Sequence, residues 1–264
     1  MAEAKKTATK AAAKTTKKVE PLLKDLLEAG AHFGQRADRW NPKMRPYIYG
    51  VRGGVHIIDL TQTHDQLLTA EKFVEDTTKN GGKILFVGTK RQARPIVEKA
   101  AKETDMPYVT NRWLGGMLTN LETIQSRVSR MKKLENESAE GKLVGTKKEK
   151  ADLEREMEHL RRIFGGISEM SIKPAVVFVT DMLTDDIAVS EANKLNIPVV
   201  AICDTNSNPE LVTYPIAAND DAVRTIALIT DRIAQAARKG SELYKAKTAE
   251  AKAKEDAKNS QEEK

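Results

Sequence analysis

The stretch KILFVGTKRQA, residues 83–93, puts Gly88, Thr89 and Lys90 between an apolar run and a helical pattern. In open α/β folds a phosphate is held at such a place, by backbone N–H groups at a helix start with a lysine ammonium beside them. The spacing argues against that chemistry. A triphosphate loop reads G-x-x-x-x-G-K-[ST], whereas here the order is Gly-Thr-Lys and no glycine lies five residues before Gly88. The dinucleotide fingerprint G-x-G-x-x-G fails as well, because Lys90 and Ala93 stand where its later glycines belong. The strand–turn–helix unit is credible and the phosphate grip is not.

Other residues that could do chemistry give weaker signals. Asp181, Asp204 and Asn206 fall at the ends of apolar runs, and Asp185-Asp186 and Asp220-Asp221 each open a helical pattern. Acids at a helix start are favoured by the helix dipole alone, although together these residues also hint at a cation site. Cys203 finishes an apolar run, where a cysteine is more often core than nucleophile. The histidines, His32, His56, His64 and His159, form no close ligand pair, so no metal and no cofactor are expected.

Nucleic-acid chemistry is better supported. Residues 32–54, irregular and rich in glycine, interleave Arg36, Arg39, Lys43, Arg45 and Arg52 with Trp40, Tyr47 and Tyr49. NRWLGGMLTN, 111–120, adds Arg112 and Trp113 beside two glycines. Cations contact phosphates, aromatic faces stack on exposed bases, and glycine lets a backbone come close. The same tryptophans could instead anchor loops. Further candidate cations are Lys90, Arg91 and Arg94 after the turn, and Arg127, Arg130, Lys132 and Lys133 on a helical segment.

Charge is distributed unevenly. The chain of 264 residues carries a formal +6. Residues 1–18 hold six Lys against Glu3, and residues 241–264 hold six Lys and six acids. Residues 32–133 contain 18 Lys or Arg against 10 Asp or Glu, while 174–231 contain two basic residues against nine acids. A split of +8 and −7 would steer a polyanion to one part of the surface and away from the other. One cysteine forms no internal disulfide and suits a reducing cytoplasm, and no apolar run approaches the roughly 20 residues of a membrane helix.

The elements that must position these residues alternate. Apolar runs at 55–60, 83–88, 106–110, 175–180 and 198–203 read as strands, and helical patterns cover 64–79, 90–104, 184–196 and 219–239. Continuous β-branched runs such as AVVFVT and PVVAIC are expected where both faces of a strand are buried. The fold class is therefore α/β, a mostly parallel sheet with helices on both faces in a Rossmann or flavodoxin-like three-layer arrangement. Leu121, Ile124, Val128, Met131 and then Leu153, Met157, Leu160, Phe164 keep a narrow 3–4 spacing and predict an inserted coiled-coil hairpin. The expected organisation is a disordered basic arm over 1–18, an α/β domain over 19–118 and 167–240, the hairpin over 119–166, and a charged flexible tail over 241–264.

At AGAHFG, WNPKMRPYIYGVRGGVHIIDL, ILFVGTKRQA, NRWLGGMLTN, PAVVFVTDMLTDDIAVSEANKLNIPVVAICDTNSNP and NDDAVR, the chain resembles the bacterial small-subunit ribosomal protein S-two family. The likeness runs from about Leu22 to Gly240. Gln35 stands where many members carry a second histidine, and Ala218 where a glycine is common before Asn-Asp-Asp. The resemblance implies a structural, non-enzymatic part of the cytoplasmic small subunit that binds its ribosomal RNA. It also implies neighbouring proteins, docking of the large ribosomal protein S-one, and no homo-oligomer. The residues alone leave a rival, a flavodoxin-like nucleotide- or flavin-binding enzyme using Asp181, Asp204 and Lys90.

Overall fold

The computed structural model describes residues 21–142 and 146–262, so the arm expected over 1–18 lies outside the described residues. The main sheet has five parallel strands: β4 (Ile84–Val87), β5 (Tyr108–Val109), β6 (Val176–Val179), β7 (Val199–Cys203) and β8 (Tyr214–Ala217). Their order is β5-β4-β6-β7-β8, with Phe86 beside Phe178 and Val200 beside Tyr214. Every residue of β4, β6 and β7 is buried, which is why these strands carry unbroken apolar runs.

The pleat sorts those residues into two cores. Ile84, Phe86, Val176, Phe178, Val200, Ile202 and Ile216 face α1 (Pro21–Ala29), α2 (Leu60–Lys79), α3 (Arg94–Thr104) and α7 (Val223–Glu262). Leu85, Val87, Val177, Val179, Val199, Ala201 and Cys203 face α4 (Leu121–Ala139), α5 (Lys147–Phe164) and α6 (Asp186–Lys194). Phe86 and Phe178 meet edge-on at 5.6 Å, and each such side chain contributes about 1.5–3 kcal/mol by leaving water. The hairpin helices share the second core. Ile124, Val128, Met131, Leu134, Leu160 and Phe164 are buried, whereas Leu153 and Met157 are only partly so.

Three features depart from the sequence expectation. The stretch 32–54 is not irregular throughout. It builds β1 (Phe33–Arg36), a 3₁₀ turn over Pro42–Tyr47 and β2 (Ile48–Arg52), and these strands flank β3 (Val55–Ile58) in a separate antiparallel sheet of order β1-β3-β2. The strand expected at 55–60 therefore does not join the parallel sheet. The main sheet gains β8, whose Pro215 suits an edge position because proline cannot donate to a further neighbour. Finally, residues 241–262, expected as a flexible tail, continue α7. They are dominated by Ala, Lys and Glu, all good helix formers, with no proline or glycine after Gly240.

Candidate nucleic-acid interface

The small sheet is tied to the carboxyl ends of the main strands through Thr205. Thr205 Oγ1 accepts from the Gln35 N–H at 2.8 Å, and its carbonyl accepts from the Asn41 N–H at 2.8 Å. A Cβ at Gly34 would stand 2.5 Å from Thr205 Cγ2, so only glycine permits this approach. Asn41 caps the 3₁₀ turn by accepting from the Lys43 N–H at 3.0 Å, and Met44 is fully buried beneath it. With Met44 pinned inward, Lys43 and Arg45 are exposed on either side of it, and Arg36, Arg39 and Arg52 are exposed along the same sheet.

These cations are not equally available. Arg36 pairs with Asp38 at 3.1 Å, and Lys43 pairs with Glu210. The side chains of Arg39, Arg45 and Arg52 make no hydrogen bond or ion pair among the described residues. Trp40 is half-buried with its ring 5.3 Å from that of His56, so it anchors the loop, while Tyr49 is 82% exposed and is the aromatic face left for stacking. Farther along the chain Arg91, Arg112 and Arg127 are exposed without a side-chain partner among the described residues. Arg130 pairs with Glu156 at 3.3 Å, Lys132 with Glu169 at 2.9 Å and Lys133 with Glu137 at 3.8 Å, all at the surface. Arg94 donates to the Thr89 carbonyl at 2.8 Å and to that of Asn111 at 3.4 Å.

Lys90 differs from all of these. Its ammonium lies 3.1 Å from Asp181, 2.9 Å from Asp220 and 2.6 Å from Asp221, and it also donates to the Asp220 carbonyl. Burial works against its charge, but the carboxylates, Asp221 foremost, outweigh it and hold the pKa above the ordinary lysine value. One ammonium cannot neutralise Asp181, Asp204, Asp220 and Asp221 together. Asp220, pushed up to about 7 by burial and then by the charges of Asp181 and Asp204, is the member that keeps a proton most readily. Asp204 is also raised by burial, whereas Asp181 and Asp221 are lowered despite burial, by the Thr184 hydrogen bonds and by Lys90 respectively. Asp204, Asp220 and Asp221 could each turn an oxygen toward one point, with those atoms within 4.8 Å of one another. Lys90 already places one positive charge against Asp220 and Asp221 of this group.

The place matters. β4 connects through α3 to β5 on one side, while β6 lies on its other side, so the order reverses between β4 and β6. The crevice at such a reversal is where open α/β sheets bind ligands. Here it is closed from within: Asp185 accepts from the Thr89 hydroxyl at 2.7 Å and the Thr89 N–H at 3.2 Å, and Lys90 spans to Asp181. Burial pushes Asp185 up to about 6 against those two hydrogen bonds.

A family model described as Ribosomal protein S2 matches residues 26–240. The chain belongs to the ribosomal protein S2 family. It is 51% identical over 220 residues to the small ribosomal subunit protein uS2 of Chelativorans sp. (strain BNC1), covering 83% of this chain and 82% of the relative. It is 50% identical over 224 residues to that of Sorangium cellulosum (strain So ce56), covering 84% and 81%. The protein of the same name from Coprothermobacter proteolyticus is 48% identical over 221 residues, covering 83% and 82%. None of the described helices is long and apolar enough to cross a membrane.

For this S2-family chain the charge split read from the sequence does not survive folding. Of the nine acids in 174–231, Asp181, Asp185, Glu191, Asp204 and Asp220 are buried, which leaves Asp186, Glu210, Asp221 and Asp231 at the surface against exposed Lys194 and Arg224. The surface of that segment is thus far less negative than −7. Glu191 is the residue that pattern reading missed. Its carboxylate accepts from Trp113 Nε1 at 3.1 Å, from the N–H groups of Gly116, Leu118 and Thr119 at 2.7, 3.0 and 3.1 Å, and from the Thr119 hydroxyl at 3.1 Å. These bonds outweigh burial and lower its pKa. Trp113 is 6% exposed, so it anchors its loop on Glu191 and is no stacking platform. Gln35, which donates to Asp204 at 3.3 Å and Asp221 at 2.7 Å, was likewise invisible as a partner of the strand ends.

Proposed function

We propose that this chain is a structural constituent of the small subunit of the cytoplasmic ribosome, without catalysis, and that it binds ribosomal RNA by phosphate contacts. The observation that carries the reading is the set of exposed cations with no side-chain partner among the described residues, Arg39, Arg45 and Arg52 on the small sheet and its connecting turn, and Arg91, Arg112 and Arg127 beyond it. Arg36, Lys43, Arg94, Arg130, Lys132 and Lys133 stand at the surface in ion pairs or hydrogen bonds that a phosphate can replace, because such exposed contacts are worth only about 0–1 kcal/mol. Lys90 leaves the interface, since its three carboxylates hold it inside. Protein partners, ribosomal protein S-one among them, suit surfaces where carboxylates such as Asp186 and Asp231 remain exposed. The hairpin 119–166 serves as an arm toward RNA or a neighbouring protein. Against the rival, a nucleotide- or flavin-binding enzyme, stands the crevice between β4 and β6, filled by Thr89, Lys90, Asp181 and Asp185.

The test is co-sedimentation with small subunits stripped of this protein, at graded salt. Replacing Arg39, Arg45 and Arg52 with glutamine is expected to lower the slope of log affinity against log salt by about one for each lost phosphate contact. An unchanged slope, or tight stoichiometric binding of a nucleotide or flavin, refutes the reading.

A further inference from the structure

A groove crosses α7, and nothing among the described residues covers it. One hollow of about 630 Å³ lies between α3 and α7, with Ile96, Ala100, Ala227 and Leu228 as its floor and Lys99, Glu103 and Asp231 on its rim. A second, of about 360 Å³, opens on the other side of Leu228, walled by Leu22 of α1 and Leu68 of α2. Leu22, Ile96 and Leu228 pack on the core from its edge and stay only partly buried, and Leu68 is 42% exposed. The carboxylates along the groove are short of cations. Asp25 makes no ion pair among the described residues, Asp231 accepts from the Gln235 amide at 2.7 Å, and Glu103 reaches Lys99 at a loose 3.8 Å.

The groove ends where the described chain begins. Pro21, the first residue of α1, lines the second hollow. A proline pushes the residue before it out of helical geometry, so the chain arriving through Glu20 turns at this point. The 20 residues before Pro21 hold six lysines against Glu3 and Glu20. Their composition leads to the expectation of a disordered arm, yet their spacing is that of an amphipathic helix. Ala4, Ala8, Ala11, Thr15 and Val19 recur at intervals of 4-3-4-4, and Lys6, Lys10, Lys14 and Lys17 at 4-4-3 on the opposite side. Lys5 and Lys18 border the small-residue face, one on each flank. Small side chains at a contact let two helices approach closely, which suits a groove between helices.

We propose that residues 4–19 fold back as a helix into this groove, with the small-residue face on Ile96, Leu228 and Leu68 and with lysines against Asp25, Glu103 and Asp231. The occupant is the chain's own arm, so it is held at high effective concentration and loses no translational freedom on docking. Alanines bury little apolar area, so the charges on the rim decide whether the arm docks and in which place. The inference does not depend on RNA binding. Docked in this way, the arm covers Ile96 and Leu228 and turns a row of lysines outward.

The test uses the full chain, free in solution, with spin labels on Lys10→Cys and on Lys239→Cys, an exposed position of α7. Labelling is confined to these sites because the native thiol, Cys203, is fully buried. Pulsed dipolar spectroscopy should give one narrow distance. Two variants should broaden it at an unchanged thermal midpoint: Ala8→Asp/Thr15→Asp, which spoils the small-residue face, and Asp25→Lys/Asp231→Lys, which reverses the rim at two exposed positions. A narrow distance that survives both variants places the arm elsewhere and refutes the proposal. So does a distance seen in a mixture of the two singly labelled chains, which assigns the groove to a second copy. A broad distribution in the free chain that narrows only on small subunits gives the arm to RNA or a neighbouring protein, and also refutes it.

Discussion

Glu191 makes a measurable case for how the 111–120 loop is held. In Glu191→Gln the amide can keep one oxygen where Oε2 stands, serving Leu118 and Thr119, but its NH₂ then faces the Trp113 and Gly116 N–H groups. The buried Trp113 donor and the half-buried Gly116 N–H lose their acceptor, at about 1–3 kcal/mol for a buried donor, so the variant should lose roughly 2–6 kcal/mol, toward the lower figure. For a chain of this size that corresponds to a fall in thermal midpoint of roughly 5–20 °C. Thermal unfolding followed by circular dichroism reads the stability. Tryptophan emission in a Trp40→Phe background isolates Trp113, the other of the two tryptophans, and should shift to the red as its anchor loosens. The pH dependence has a fixed sign. The folded pKa of Glu191 lies below its unfolded value, so its contribution is present above about 4.5 and is lost as pH falls through the lower folded value. The gap between wild type and variant should therefore narrow as pH falls from the ordinary glutamate range through the lowered folded value. A midpoint within 1 °C of wild type at pH 7 would show that the five hydrogen bonds do not hold the loop.

Other substitutions have outcomes as definite. Lys90→Ala should cost about 3–5 kcal/mol, toward the lower figure because Asp221 is half-exposed and Asp220 can take up a proton, and denaturant titration measures it. Asp220 and Asp185 titrate higher folded than unfolded, so their contribution is full below about pH 4 and is lost as pH rises through about 6 to 7. Asp220→Asn should flatten stability against pH between 5 and 8, and an unaltered profile would exclude Asp220 as the group responsible. Gly34→Ala should cost ~1–3 kcal/mol by overpacking against Thr205, with partial recovery in Gly34→Ala/Thr205→Ser, which removes the Cγ2 that the new methyl meets.

What the sequence disclosed followed from burial. β4, β6 and β7 announced themselves because both of their faces are covered, and the hairpin because its seam is narrow and its flanks are charged. The antiparallel sheet escaped because its strands are four or five residues long, include exposed positions, contain Gly34 and Gly50, and are interrupted by register shifts. The helical pattern read over 219–239 ends just before Gly240. The glycine is instead buried in mid-helix, where a Cβ would overlap Thr78 of α2, so its lack of a side chain serves a crossing of helices. Basic residues were legible as a class, yet the one that turns inward was not. Lys90 and Arg91 are neighbours in sequence, and only tertiary structure brings Asp181, Asp220 and Asp221 to one of them. Trp113 was left open between anchor and stacking platform, and Glu191, 78 residues away, decides for the anchor.

The knot around Lys90 also bears on how this fold comes apart. Its ammonium is joined to Asp181, Asp220 and Asp221, which lie in two separate later stretches of chain, and Gln35 from the first strand reaches Asp204 and Asp221 beside it. Contacts between segments so distant are costly in loop entropy until the rest of the sheet has assembled. They are expected to form late on the folding path and to break early on the way out. A bond of that kind hardly changes how fast a chain folds, but it lengthens the life of the folded state, because its full worth must be surrendered to reach the barrier. The mouth of the sheet thus holds a latch, and its bonds must open before the fold does.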